Sequence, residues 1–181
     1  METYAYVLDY LPQGRSSEPG YRREPVALGI GESELKLLEI LPKPGKLLSV
    51  GARIPLVEVG GALPPIDHVR RRISFGDLTT AARTELPGAL EKIVRADPSR
   101  FLRVFNEAQA VSRRFHLLEL LPGIGKKTMH AIVDERKRAP FKSFEEMEQR
   151  LHLHSPERLI VGRIEQELSG TDDKYRLFIA P

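Results

Sequence analysis

The segment at residues 121–128 constrains the fold of this chain more than any other. Its sequence is Leu-Pro-Gly-Ile-Gly-Lys-Lys-Thr, and apolar residues at helical spacing lie on both sides of it. Before it, Ser112 is placed to cap a helix that would run to Leu121, and after it the helical spacing continues to Ala139-Pro140. Because proline ends a helix and glycine permits a tight turn, we predict a turn between two helices, which we call the hairpin segment.

The start of the second helix predicts a phosphate site. The amides of Gly125, Lys126 and Lys127 would have no partners within the helix and would lie at the positive end of its dipole. The two lysines add full charges, and Thr128 adds a hydroxyl group. Such groups contact phosphate and not base edges, so binding should be independent of base sequence. The alternative is a turn that only packs two helices together.

The two glycines of the hairpin segment are expected to adopt conformations that a side chain would forbid, and to let another backbone approach. The candidate contacts in this segment are Gly123, Ile124, Gly125, Lys126, Lys127 and Thr128.

The segment resembles the helix-hairpin-helix motif, in which Leu-Pro-Gly-Ile-Gly and one or two basic residues join two helices. The resemblance implies contact with a nucleic-acid backbone, and a monovalent cation held by the hairpin carbonyls.

The charge of the chain is unevenly distributed. Its net charge is +3, but residues 111–142 carry eight Lys and Arg against three Asp and Glu, whereas residues 143–181 carry five against eight. The basic excess around the hairpin segment predicts a polyanionic partner. Clusters of arginine are more often solvated surface than binding sites, but their concentration here adds further candidate contacts. These are Arg70, Arg71, Arg72, Arg113, Arg114 and Arg136.

Composition excludes several classes of protein. The chain has 181 residues and no cysteine, which excludes disulfides and thiolate metal sites and favours a reducing cytoplasm. It has no long apolar run and does not start like a signal peptide, so we expect a cytoplasmic protein without a membrane span. His152 and His154 are two residues apart and would not share a helix face, so we predict that they hold no metal. We expect no zinc, no iron and no catalytic residue, and no cofactor besides the monovalent cation at the hairpin carbonyls.

The first third of the chain is rich in short β-strand patterns separated by turn residues. Pro55 indicates that the last of these strands lies at an edge. Such strands predict a small, closed or half-closed β-barrel of the oligonucleotide-binding (OB) type over residues 1–65. Its tyrosines would either stack on the bases of a single-stranded nucleic acid or fill the interior of the barrel, and the pattern leaves both open. The predicted strands cover residues 4–11, 26–30, 35–41 and 53–59.

The remainder, residues 66–181, is predicted to be helical after a basic connector at residues 66–73. Asp77, Asp97-Pro98 and Ser143 are expected to start helices. A second helix pair follows the first, and its turn lacks glycine and lysine, which indicates a degenerate second hairpin. The alternating residues 174–179 predict a strand that returns to the barrel. The expected fold class is therefore α+β, with an OB-like barrel followed by an all-α domain that holds two helix-hairpin-helix units.

The order of these parts resembles a family of uncharacterised archaeal proteins that join an OB-like barrel to tandem helix-hairpin-helix units. The motifs that carry the resemblance are residues 67–73, 77–79 and 115–127, followed by residues 141–146. For that family RNA binding is the usual suggestion. The resemblance therefore implies a binding protein, and it alone favours RNA over DNA.

Two other functions stay open from the sequence. Helix-hairpin-helix DNA glycosylases have a similar segment with a reactive lysine, to which Lys127 corresponds. Their downstream aspartate has no counterpart, because residues 141–146 offer only Glu145 and Glu146 in a capping context. The other alternative is a protein-interaction module that docks a partner on the acidic second helix pair.

Overall fold

The computed structural model describes residues 1–170 and 174–180. Within them the chain is an α+β protein with five β-strands and five α-helices. It forms two compact units, one of residues 1–89 with the chain from Phe178 onward, the other of Leu90–Leu177. The division between the units falls inside the first α-helix, and not between residues 65 and 66. The segment predicted as a connector is a β-strand of the first unit.

The first unit contains one curled antiparallel sheet. Its strands are β1 (Tyr4–Leu11), β2 (Val26–Gly31), β3 (Leu37–Pro42), β4 (Arg53–Pro55) and β5 (Ile66–Arg72). The strand order is β4-β1-β2-β3-β5. The first three predicted strands are confirmed. β4 is shorter than predicted, and it lies at an edge of the sheet, as Pro55 indicated.

The core of the sheet forms because β2 and β3 consist almost entirely of apolar residues. Every residue of β2 is buried, and so is every residue of β3 except Pro42. A strand buried on both faces has a continuous apolar run and not an alternating one. The buried cluster on one face comprises Ala5, Val7, Ala27, Leu38, Ile40, Leu48, Ile54, Leu56 and Ile66.

The basic segment predicted as a connector is strand β5, which pairs with β3 at the other edge of the sheet. Ile66 is 1% exposed and anchors the strand in the core, and Arg71 lies opposite Glu39 of β3. The Glu39 side chain is fully buried, and it accepts from Arg71 at 3.3 and 3.4 Å and from Arg15. This charged segment is therefore a strand whose backbone pairs with β3, whose Ile66 enters the core, and whose Arg71 compensates the buried carboxylate of Glu39.

The helices are α1 (Thr80–Ala96), α2 (Pro98–Glu107), α3 (Lys126–Arg138), α4 (Phe144–Leu151) and α5 (Pro156–Ser169). The predicted caps Asp97 and Ser143 are confirmed. Asp77 does not start α1, because it ends a short 3₁₀ helix, and the hydroxyl of Thr79 instead accepts from the Ala82 amide at 3.1 Å. Within the described residues, no helix is long and apolar enough to span a membrane.

Residues 174–179 do not form the predicted strand. Side chains of α5 form hydrogen bonds with the backbone of these residues instead. Arg163 donates to the carbonyl oxygen of Tyr175, and Glu167 accepts from the Leu177 amide at 2.7 Å. Backbone groups that are satisfied in this way need no partner strand.

Candidate nucleic-acid interface

The hairpin segment is held in place by two buried side chains and a tight turn. Leu121 is 1% exposed and Ile124 is 6% exposed, and the Ile124 amide donates to the Leu121 carbonyl oxygen at 3.0 Å. Gly123 has a φ of +88°, which residues with a side chain rarely adopt. The Ile124 side chain therefore belongs to the core, which leaves the backbone of this turn and the residues after it as the candidate contacts.

Helix α3 begins at Lys126, as predicted, with Gly125 as its N-cap residue. Within the described residues no side chain caps this end, so the first amides of α3 remain available to a ligand. Gly125 has a φ of −93°, which any residue adopts, so the expectation of a special backbone conformation is wrong at this position. A Cβ atom added here would meet no described atom within 4 Å, so the glycine leaves open space beside the amides.

The two lysines of the hairpin segment have different surroundings. The Nζ of Lys126 lies 3.0 Å from Oε2 of Glu119 and also donates to the carbonyl oxygen of Arg114. Lys127 is exposed and forms no ion pair with any residue in the described part of the chain. Thr128 is half-buried. The structure thus offers one partly neutralised lysine and one available lysine.

Residues 110–116 form a turn and not the predicted helix. The amides of Val111 and Ser112 both donate to the carbonyl oxygen of Phe115, at 2.8 and 3.1 Å. The Ser112 hydroxyl caps no helix, because it accepts from the Arg114 amide two residues later at 3.2 Å. The turn leaves Arg113 and Arg114 exposed.

What remains of the predicted first helix is a four-residue 3₁₀ helix, Leu117–Leu120. His116 caps it, because its Nδ1 accepts from the Leu118 amide at 3.0 Å, and Glu119 accepts from the His116 amide at 2.8 Å. Burial, and then the charge of Arg136, lower the pKa of His116, which keeps the imidazole neutral and its nitrogen able to accept. This cap fixes the entry of the chain into the hairpin segment.

A groove of about 610 Å³ lies between the 110–116 turn and helix α3. Its walls are apolar where Phe115, Met129 and Val133 line it, and its charge comes from Arg113, Arg114 and Lys126, while His130 of α3 adds an imidazole ring. We call it the basic groove. Its remaining lining residues are Ala110, Ser112 and His116.

The sequence did not single out His130 or Phe115 as site residues. His130 follows Lys126 by four positions, so the helical period could have placed both on one face of α3. Phe115 gave no such signal, because its position depends on the turn at residues 110–116. Glu119 was likewise missed, although its spacing of three from His116 is that of a capping box.

The other arginines lie elsewhere. Arg136 is half-buried ten positions along α3 from Lys126, about 15 Å by the helical rise, and donates to the Phe105 carbonyl oxygen at 3.2 Å. Burial lowers its pKa. Arg70–Arg72 belong to the first compact unit, where Arg70 lies 3.0 Å from Glu18 and 3.4 Å from Glu39. Of the predicted site residues in the described part of the chain, the groove is therefore lined by Arg113, Arg114 and Lys126.

The second helix pair, α4 and α5, matches the predicted helices. Its turn contains two residues other than glycine with positive φ, His152 at +53° and Ser155 at +47°. Glu148 of α4 accepts from the Ser155 amide at 2.8 Å, which closes the turn. Side chains, and not glycines, therefore hold this turn.

Residues 1–180 match the family described as protein of unknown function (DUF655). The uncharacterized protein MJ0038 of Methanocaldococcus jannaschii is 42% identical over 179 residues, which cover 98% of this chain and 80% of that protein. The crystal structure of Af1531 from Archaeoglobus fulgidus has a TM-score of 0.88 and 43% identity, over 99% of this chain and 100% of the other. The chain therefore belongs to the DUF655 family.

Proposed function

We propose that this protein binds nucleic acid, with RNA favoured, and that the hairpin segment grips the phosphate backbone without selecting base sequence. The observation that carries the proposal is the uncapped start of α3, where Gly125 leaves open space and Lys127 is exposed without an ion pair among the described residues. Amides and ammonium groups in this arrangement suit a phosphate oxygen.

Three features support an architecture of helix-hairpin-helix type. The turn has buried anchors at Leu121 and Ile124, Gly123 has positive φ, and a helix with two lysines follows at once. In this interpretation the first helix is reduced to the 3₁₀ helix Leu117–Leu120, and α4 with α5 form a second, degenerate unit. The preference for RNA rests on the resemblance of the whole chain to an archaeal family to which RNA binding is ascribed.

The sheet supports an OB-like barrel in the first unit. Five antiparallel strands with β4 and β5 at the two edges correspond to a partly open five-stranded barrel. The tyrosines differ in exposure: Tyr6 is 8% exposed and fills the core, whereas Tyr21 is 83% exposed. Tyr21 is therefore the tyrosine of this unit best placed to stack on a base.

The test measures the affinity for single-stranded and duplex RNA and DNA of equal length across a salt series. We expect the double variant Lys126→Ala, Lys127→Ala to bind more weakly on every ligand and to reduce the slope of log K against log salt by about one to two units. The control is Lys137→Ala, Arg138→Ala, which removes the same charge from exposed residues at the other end of α3.

The control separates a local grip from an effect of net charge. If both double variants weaken binding equally, the hairpin segment has no special role. If wild-type protein binds none of the four ligands, the proposal is wrong, and a protein-interaction module becomes the better hypothesis.

A further inference from the structure

Binding of a phosphate backbone alone does not explain the composition of the basic groove. A helix start with two lysines can hold a phosphate on an open surface, yet a pocket of about 610 Å³ with apolar walls lies directly beside it. That volume falls in the range of about 300–1,000 Å³ that is typical of sites for small organic groups. We propose that the basic groove holds an unpaired nucleobase of the strand whose phosphate lies at the hairpin segment; this inference rests on the proposed function.

The walls of the groove suit a flat, aromatic ligand. The ring of Phe115 packs against the ring of Tyr175, with centroids 5.4 Å apart and planes tilted by 35°, so the phenyl group is already held in place. An aromatic ring fixed in this way loses little conformational freedom when a base stacks on it. Met129 and Val133 of α3 also line the groove, and the flexible thioether of Met129 can adapt to a base.

The charges around the groove select an anionic group attached to that ligand. Arg113, Arg114 and Lys126 all line it, His130 adds an imidazole, and no described lining residue carries a carboxylate. A neutral apolar ligand would gain nothing from this charge, whereas a nucleotide uses both parts of the groove. Ser112 and the His130 ring add polar groups that can bond to a base edge.

Lys126 connects the groove to the proposed phosphate site. It lines the groove and is also the first residue of α3. A base in the groove and a phosphate at the start of α3 therefore belong to neighbouring positions of one strand. Because paired bases are stacked inside a duplex, the base must come from a single strand, a loop or an end.

The experiment compares two labelled strands of equal length, an oligoadenylate RNA and the corresponding abasic ribose-phosphate strand. We expect wild-type protein to bind the oligoadenylate about tenfold more tightly, since stacking of one base supplies an effect of that size. Phe115→Leu should abolish this difference and leave the affinity for the abasic strand unchanged, whereas Phe115→Tyr should keep the difference.

A second variant guards against loss of the fold, because Phe115 also contacts Tyr175. Ala110 is an exposed lining residue, so Ala110→Leu should narrow the groove without adding an aromatic ring or removing a packing contact, and should reduce the preference for bases. Thermal unfolding of each variant confirms that it is folded.

The outcomes of the two proposals are distinguishable. Equal binding of both strands by wild-type protein, or a base preference that is undiminished in both Phe115→Leu and Ala110→Leu, would overturn the proposal for the groove and leave the proposal for the hairpin segment untouched. Unchanged binding of the abasic strand in the Lys126, Lys127 double variant would overturn the phosphate grip and with it the inference.

Discussion

The Nζ of Lys126 lies 3.0 Å from Oε2 of Glu119, and this ion pair distinguishes two lysines that are adjacent in the sequence. The amide of His116, and then the ammonium group of Lys126, lower the pKa of Glu119, so the carboxylate is charged at neutral pH. It neutralises part of the charge of Lys126. Lys127, exposed on the next position of α3, has no such partner among the described residues.

We therefore predict that Lys127→Ala weakens nucleic-acid binding more than Lys126→Ala does. Lys127→Ala should reduce the slope of log K against log salt by about one unit, as expected for one phosphate contact, and Lys126→Ala by less. Glu119→Gln should have the opposite effect and raise affinity, because it releases Lys126 while its amide oxygen still accepts from His116. Equal losses in the two lysine variants would show that the ion pair is irrelevant to binding.

The two glycines of the hairpin segment should respond differently to substitution. Gly123→Ala should lower the free energy of unfolding by about 1–2 kcal/mol, because φ at this position is +88°. Gly125→Ser should leave stability unchanged or slightly raised, because serine is a favourable N-cap residue and φ is already −93°. The same variant should weaken binding, since its hydroxyl occupies the open space and bonds to an amide that the phosphate would use. Urea unfolding and binding titrations on both variants check this pair; retained affinity in Gly125→Ser would contradict it.

Stability should decrease as the pH falls below about 6.5, the ordinary pKa of histidine. Burial and Arg136 lower the pKa of His116, so the folded state binds fewer protons than the unfolded state in this range. The contribution of neutral His116 to stability is complete above its pKa in the unfolded state and is lost as the pH falls through its pKa in the folded state. His116→Asn keeps an acceptor for the Leu118 amide and should remove this part of the pH dependence. If the free energy of unfolding of wild-type protein and of His116→Asn changed in parallel from pH 7 down to the pH at which carboxylates begin to titrate, the assignment to His116 would be refuted.

Glu39 should stabilise the first unit at neutral pH and cease to do so in acid. Burial alone would raise the pKa of Glu39, but hydrogen bonds from Arg15 and Arg71 outweigh it and lower the pKa from 4.5. Its contribution is therefore present above the unfolded pKa and is lost as the pH falls through the folded one. Glu39→Gln should lower the free energy of unfolding by about 1.5–3 kcal/mol at neutral pH, the range for hydrogen bonds to a charged group. The exposed Glu58→Gln is the matched control and should cost little; a cost of Glu39→Gln that is the same at acid and neutral pH would exclude the carboxylate as its cause.

The elements that the sequence predicted are those with local signals. Short segments rich in apolar and aromatic residues, bounded by turn residues, predicted β1, β2 and β3, because these features all lie close together in the sequence. Asp97 and Ser143 marked the starts of α2 and α4, because a cap is a bond within one turn. The start of α3 was also predicted correctly, because the proline and glycines of the hairpin segment are local signals of a turn between two helices.

What only the tertiary structure decided depends on partners that are distant in the sequence. β5 is a strand because its backbone pairs with β3, where its Arg71 meets the buried Glu39 carboxylate, and no local pattern in residues 66–72 contains either partner. The groove beside α3 exists because residues 110–116 turn back on the Phe115 carbonyl instead of continuing as a helix, although their side chains allowed a helix. Hydrogen bonds and ion pairs formed across the fold override weak local propensities, since each buried polar group must find a partner wherever the chain brings one.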